Sequence, residues 1–430
     1  MRNRPKKTNA QGRLLAPFAA LVFVASAGGC DQLLDVDRPG EILAENLQGP
    51  ESAELLAFSA LSDFECALAR YIVTAGTLGN ELYVSNLGSA NWPLGQRNLT
   101  DRLPYGVSGC AGGYALYVPV STARWQADNV LRRMQDDWAG ADIPDRDNLV
   151  ARAATIAGYS LNLLGESMCS AAIDQGPEMF PEDFFREAAN RLQIAVDAAT
   201  NPQIRNWARV GLGRALLNAG NVQAAADAVR DVPEGFVFST NHSNATNTRR
   251  NHPHWHISRD RNGVVTRHYF ERTTWNGELD PRVPVVEVVG QITSDPDVPF
   301  WNQLKYPGVD SPIPIARWEE AQLIIAEAEG GETAVRIINE LHSRAGLPPY
   351  DPNIHTTPGP YDEITNMIIE TRAREFFLEG HHLGDLRRYE LPLVPAPGEP
   401  YPWTGGGFYG GDRCFPAPFS EKDSNPNFGG

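Results

Sequence analysis

The chain has 430 residues, 42% hydrophobic and 21% charged, with 39 Gly, 33 Pro and 9 Trp. That balance is globular and excludes disordered, collagen-like and polytopic membrane classes; the length accommodates two or three domains or one large helical unit. The formal charge is −16, and without the five bases of the first 29 positions, 32 basic residues face 53 acidic ones, a net of −21. A surface that acidic repels phosphate backbones, so no nucleic-acid partner is expected.

Residues 1–29 read as an export signal. Arg2, Arg4, Lys6, Lys7 and Arg13 precede an apolar run, Leu14 to Ala27, which ends in Ser26-Ala27-Gly28-Gly29-Cys30. Bases, then an apolar stretch too short to span a bilayer, then small residues is the layout of a cleaved secretory leader. The cysteine directly after the small residues resembles a bacterial lipobox, although Ala27 stands where lipoboxes usually carry Leu. The resemblance implies that Cys30 is lipidated with acyl chains such as palmitate. Such chains would anchor the mature chain to a membrane surface without spanning it.

A short acidic tether from Asp31 to Gly40 leads into a helix over Pro50–Arg70. Tyr71–Tyr117, rich in Gly, Asn and aromatics, reads as loops. Helical spacing returns over Val120–Met134 and Asp147–Leu164. Phe184–Ala199 is amphipathic, with Phe185, Ala188, Leu192 and Val196 on one face. A second helix from Trp207 to Leu217 carries Ala208, Gly211 and Ala215, small enough for a neighbouring helix to approach closely. After a break at Gly220-Asn221, Ala224–Val229 starts a third. This alternation is similar to a tetratricopeptide repeat, whose helix pairs must stack to bury their faces. Pro233–Pro314 changes character, with nine Pro, many Asn and Thr, and β-branched strings such as Val285–Val289; it reads as loops with short strands. Helices resume at Arg317–Ala345 and Tyr361–Gly380, before a Pro-, Gly- and aromatic-rich tail from Leu391.

Four cysteines follow Cys30. They permit three pairings, of which Cys66–Cys110 with Cys169–Cys414 is the one adopted here, the others remaining open. No Cys-x-x-Cys, Gly-x-Ser-x-Gly, His-Glu-x-x-His or phosphate-cradling Gly-rich loop occurs. His252, His254 and His256 alternate, which on a strand would turn three imidazoles to one face. Pro253 and the surrounding Arg249, Arg250 and Arg259 argue instead for a polar surface loop without a metal. His381-His382 reads as structural, at a helix end with ion pairs among Glu375, Glu379, Arg387 and Arg388. No pair of carboxylates stands out as catalytic, and no cofactor or metal is expected.

Several C-terminal segments, in order, resemble the SusD/RagB family of outer-membrane nutrient-binding lipoproteins. They are Ala316-Arg-Trp-Glu-Glu-Ala-Gln-Leu-Ile-Ile-Ala-Glu-Ala328, Ile337 to Pro348 with its Arg344-Ala345-Gly346-Leu347-Pro348, Ile368 to Arg388 with Glu375, Glu379-Gly380 and Asp385-Leu386, and Phe415-Pro-Ala-Pro-Phe419 with Asn425-Pro426-Asn427. Thr371 and His382 depart from that pattern, standing where the family has Glu and commonly Arg. The resemblance implies an all-α, tetratricopeptide-like body with long irregular loops and a few short strands. It divides the mature chain (30–430) into an N-terminal part (30–232), a loop-rich insertion (233–314) and C-terminal helices with tail (315–430). It further implies a lipid-anchored protein at the cell outer membrane, facing outside, that is not an enzyme. Such a protein captures an oligosaccharide or peptide and passes it to a SusC-like TonB-dependent transporter. An exported hydrolase with a loop-built carboxylate or His-metal site is the alternative.

For binding, loop aromatics are the informative residues, because sugar rings stack their C–H faces on Trp and Tyr. Tyr83, Trp92 and Tyr105 lie in one irregular stretch, and Trp255, Trp275, Trp301 and Tyr306 in another. Both interrupt the helical scaffold, where binding residues tend to sit. Trp207 and Trp318, inside helices, are assigned to packing.

Overall fold

In the computed structural model, which describes residues 47–429, ten helices of seven residues or more carry the chain. They are α1 (Ala53–Leu78), α2 (Tyr117–Arg132), α3 (Arg146–Ser167), α4 (Pro181–Ala198), α5 (Pro202–Asn218), α6 (Val222–Val229), α7 (Trp318–Glu329), α8 (Gly331–Arg344), α9 (Glu363–Glu375) and α10 (His382–Arg388). The leader and Cys30 lie outside the described residues.

The helix stack follows from local rules. Proline opens α4 and α5, where its missing N–H is not needed. Asn201 Oδ1 caps α5 by accepting from the Gln203 amide at 2.8 Å, and Asp362 caps α9 through the Thr365 amide at 3.0 Å. Gly220 takes φ 79°, a left-handed conformation that ends α5 and lets α6 fold back. Consecutive helices α1 to α8 then pack as neighbours, burying Leu192, Trp207, Ile324 and Ile337 in one core. Gly211 marks the closest approach: a Cβ there would lie 2.4 Å from Tyr159 Cε2 on α3. The fold is the helical, tetratricopeptide-like one that the spacing implied.

Two boundaries differ from expectation. α1 continues through Tyr71–Leu78, because that segment is buried on every side and so carries no polar stripe to betray a helix. α10, only seven residues long, is likewise mostly buried.

Eight short strands pair antiparallel: β1 (Leu82–Val84) with β3 (Gly263–Val265), β2 (Val237–Ser239) with β8 (Pro314–Arg317), β4 (Thr274–Trp275) with β5 (Glu278–Leu279), and β6 (Val285–Glu287) with β7 (Trp301–Gln303). Cys66 is bonded to Cys110 and Cys169 to Cys414. The second bond ties the tail to the end of α3. There the Phe415 amide donates to Ser167 O and its carbonyl accepts from Cys169 N, both at 2.8 Å. Asn425 and Asn427 donate to the Gly176 and Gln175 carbonyls.

The ion pairs expected near His381-His382 form two buried networks, one around Glu375 and Glu379 and one around Asp385. Arg317 reaches Glu375 at 3.2 Å and Glu379 at 3.1 Å, and Lys305 adds a 2.6 Å pair with Glu379. Arg282 joins Glu375 to Asp280, which also pairs with Arg374 at 2.9 Å. Arg372 and Arg388 hold Asp385 at 2.8 and 3.0 Å. Arg387 instead donates to the Gly165 carbonyl. The acidic positions of the Ile368–Arg388 stretch therefore clamp the loop-rich segment to the helices.

Candidate functional site

The two irregular stretches meet in one face. Beyond the β1–β3 pairing, Ser85 Oγ donates to Arg261 O at 2.7 Å, Thr266 Oγ1 to Asn80 O at 2.8 Å and Tyr114 OH to Asn262 O at 2.9 Å. Arg261 turns through a left-handed conformation (φ 55°) to bring the chain into β3. Loops between 148 and 186 residues apart in the sequence are thereby fixed against the end of α1.

The seven candidate aromatics divide. Tyr105 and Tyr306 are 1% and 3% exposed, and their hydroxyls donate to the Pro416 and Leu378 carbonyls at 2.7 and 2.9 Å. Trp301 is buried between Tyr83 and Phe270, with ring centroids 6.5 and 5.9 Å away. In this conformation these three present no face to solvent; they pack the loops onto the scaffold, contrary to expectation. Trp275 is half-buried against His342 and His355, 5.0 and 5.4 Å away, on the side of α8. Tyr83 and Trp92 are half-buried, Tyr83 edge-on to Trp403 at 5.4 Å and Trp92 donating from Nε1 to Asn86 O at 3.2 Å.

Trp255 alone of the seven lines a cavity described here, of about 250 Å³, together with Arg70, Gly113, Asn247, Arg250, His252, His256, Asp260 and Asn262. The His252–His256 segment is neither a strand nor a surface loop. Pro253 leads into a wide helical turn, His254–Arg259, that sets His252 and His256 side by side, buried, with rings 5.1 Å apart. His254 turns elsewhere, to the Tyr306 carbonyl at 2.7 Å. Among the described residues no three His, Cys, Asp or Glu side chains gather to hold a metal ion.

The wall of this cavity is electrostatically unusual. Arg70, buried on α1, donates from Nη1 to His252 Nδ1 and from Nη2 to Asn247 O at 3.1 Å. That acceptor role assigns the proton to His252 Nε2, which donates to Gly113 O at 2.7 Å. Burial, followed by Arg70, holds His252 well below the usual imidazole range; the same causes bring His256 to about 3. Both rings are thus neutral. Burial also lowers the Arg70 guanidinium to about 10, still charged at neutral pH. Arg70 Nε and His256 Nε2 are buried without a hydrogen-bond partner among the described residues. Arg250 lies over the Trp255 ring at 4.2 Å and Arg259 at 5.7 Å.

Trp255, Arg250 and the pair His252 and His256 were the visible part of this site, the histidines as a metal candidate. Arg70 was not, because it sits mid-helix and its role depends on the loops folding back; Asn247, Asp260 and Asn262 carried no signal either. The crowding of Arg249, Arg250 and Arg259 around Trp255 and the alternating histidines were the clues available.

A larger cavity, about 490 Å³, lies between the helices and is lined by Glu166, Glu182, Phe185, Glu327, Arg387 and Arg388. Its charges are largely committed: Arg214 and Asn218 hold Glu166, and Arg388 holds Glu327. The two carboxyls pushed up to about 7 by burial, Glu81 and Glu320, are 1% and 2% exposed and so out of reach of a polymer. We therefore regard the loop-built cleft as the candidate site.

Comparison with known proteins supplies the frame. Residues 305–425 match the SusD family. No curated protein matches the sequence. Among solved structures, a SusD-like carbohydrate binding protein from Bacteroides vulgatus superposes with a TM-score of 0.65 at 15% identity, covering 88% of this chain and 97% of its own. A SusD-like protein from Bacteroides fragilis gives 0.66 at 11% identity, covering 90% and 98%. A laminarin binding SusD-like protein gives 0.58 at 14%, covering 86% and 97%.

Proposed function

From a chain whose residues 305–425 match the SusD family and whose fold superposes on SusD-like structures along most of its length, we infer a receptor that captures an oligosaccharide. The observation that carries this reading is the cleft at Trp255, where loops from two distant stretches converge polar groups on a cavity of about 250 Å³ above a rigid helix stack. That is the arrangement binding sites favour: a pre-formed concavity on loops, held by a scaffold. The names of the laminarin binding and carbohydrate binding structures support a glycan over a peptide. Capture without cleavage is supported by the ion-paired state of the carboxylates in the larger cavity and by the burial of Glu81 and Glu320.

In the same reading, Cys30 carries the lipid that holds the protein on the outer face of the outer membrane. The captured oligomer passes to a SusC-like TonB-dependent barrel. The test is binding of the full-length protein, in detergent, to a panel of neutral and acidic oligosaccharides and peptides, with product analysis of each mixture. Saturable binding with the oligomer intact is expected. Shortening of a polymer that stops on mutation of a carboxylate would replace this reading with the hydrolase.

A further inference from the structure

Building on the receptor reading above, we propose that the Trp255 cleft is an anion-recognition subsite, and that the oligosaccharide it takes carries carboxylate or sulfate groups on its sugar rings. The chain as a whole has a charge of −16, yet this cleft is locally positive. Arg70 and Arg250 line it against one carboxylate, Asp260, exposed on its rim, while His252 and His256 are neutral.

Neither guanidinium, nor that of neighbouring Arg259, makes an ion pair among the described residues. Adjacent Arg249, by contrast, is paired with Glu65 at 2.9 Å. Arg70 is 5% exposed, and its acceptors are an imidazole nitrogen and a backbone carbonyl. A charge buried with neutral acceptors alone is costly to the fold, and a bound anion relieves that cost. Its Nε, like His256 Nε2, has a donor or acceptor position still open.

Trp255 sharpens the distinction from a neutral-sugar platform. A ring that stacks a neutral sugar needs a bare face, whereas this one is covered by Arg250 at 4.2 Å. The indole thus acts as a shelf that orients the guanidinium. Arg250 is held further by Asn244 Oδ1 at 2.9 Å and Asn247 Oδ1 at 2.6 Å, which leaves its Nη2 edge uncommitted. A planar guanidinium fork presented in this way matches the oxygens of a carboxylate or a sulfate.

The test uses the full-length protein in detergent at low ionic strength and isothermal calorimetry with four probes. These are an oligogalacturonate, its methyl ester, a sulfated galactan oligosaccharide and a neutral laminarin oligosaccharide. Either anionic probe is expected to bind about tenfold or more tightly than the neutral ones, and the stronger of the two identifies the charged group. Arg250→Gln should lose about tenfold of that affinity. Arg336→Gln, which removes an exposed pair with Glu340 on α8, should not. Arg70→Gln is expected to match Arg250→Gln. Should it fail to fold, the half-buried Arg250 carries the test. Equal or tighter binding of the methyl ester or laminarin probe, or full affinity in Arg250→Gln, overturns the anion assignment and leaves the receptor reading standing. Binding of no oligosaccharide of either charge overturns both.

Discussion

Buried charge in this protein follows two patterns, and they predict opposite responses to mutation. In the network around Glu375 and Glu379 every cation has a carboxylate, so removing one partner strands the other. Glu379→Ala should therefore cost about 3–5 kcal/mol in chemical denaturation, since Lys305 is left without the carboxylate it pairs with and Arg317 keeps only Glu375 and Glu319. A loss below about 1 kcal/mol would mean that water reaches this network. Arg70, without a carboxylate partner among the described residues, should behave in reverse: Arg70→Met is expected to leave stability unchanged or raised while binding falls. Tyr306→Phe separates packing from recognition at the same scale. It should cost about 1–2 kcal/mol for its hydroxyl bond to Leu378 O and leave ligand affinity unaltered. An aromatic count in loops could not make these distinctions. Tyr105 and Tyr306 look as available as Trp255 in sequence, and only the carbonyls that take their hydroxyls reveal them as core.

Among elements, legibility tracks amphipathicity. α4 and α8 each bury one stripe and were read from spacing, whereas the end of α1 and all of α10 are enclosed and left no stripe to read. Small residues on α5 were informative for the same physical reason that they matter in the fold. Gly211→Leu forces atoms into the space of Tyr159, so a loss of about 1–3 kcal/mol is expected by thermal melting, with a far smaller effect for the exposed Asn221→Ala. The disulfides belong to this scale as well. Cys66–Cys110 closes a long loop whose following residues, Ala111 and Gly113, line the cleft. The double Ser variant should lose about 2–4 kcal/mol and bind more weakly even where it remains folded. Unchanged affinity in that folded variant would show that the cleft holds its shape without the bond.

For the whole molecule, histidine burial sets the response to acid. Seven of the nine histidines are held below the ordinary imidazole value of about 6.5 chiefly by burial. His242, His268 and His342 lie at about 4, His256 and His382 at about 3, and His252 and His381 are also depressed. The unfolded chain takes up these protons below pH 6.5 and the folded chain does not, so their stability is present above 6.5 and lost as pH falls towards 4. Glu81 and Glu320, near 7, and Asp63 and Glu65, also raised by burial, act in the opposite sense. Seven groups against four leave a net loss, so Tm should fall from pH 7 to pH 5; a constant or rising Tm would mean the imidazoles are accessible to protons in the fold. The central claim, that the loop face and not the helix stack receives the ligand, is tested most directly by hydrogen–deuterium exchange on the full-length protein, with and without saturating oligogalacturonate. Protection confined to 111–113 and 247–262 is the expected result. Protection instead along 181–222 and 384–389, the walls of the larger cavity, would contradict it.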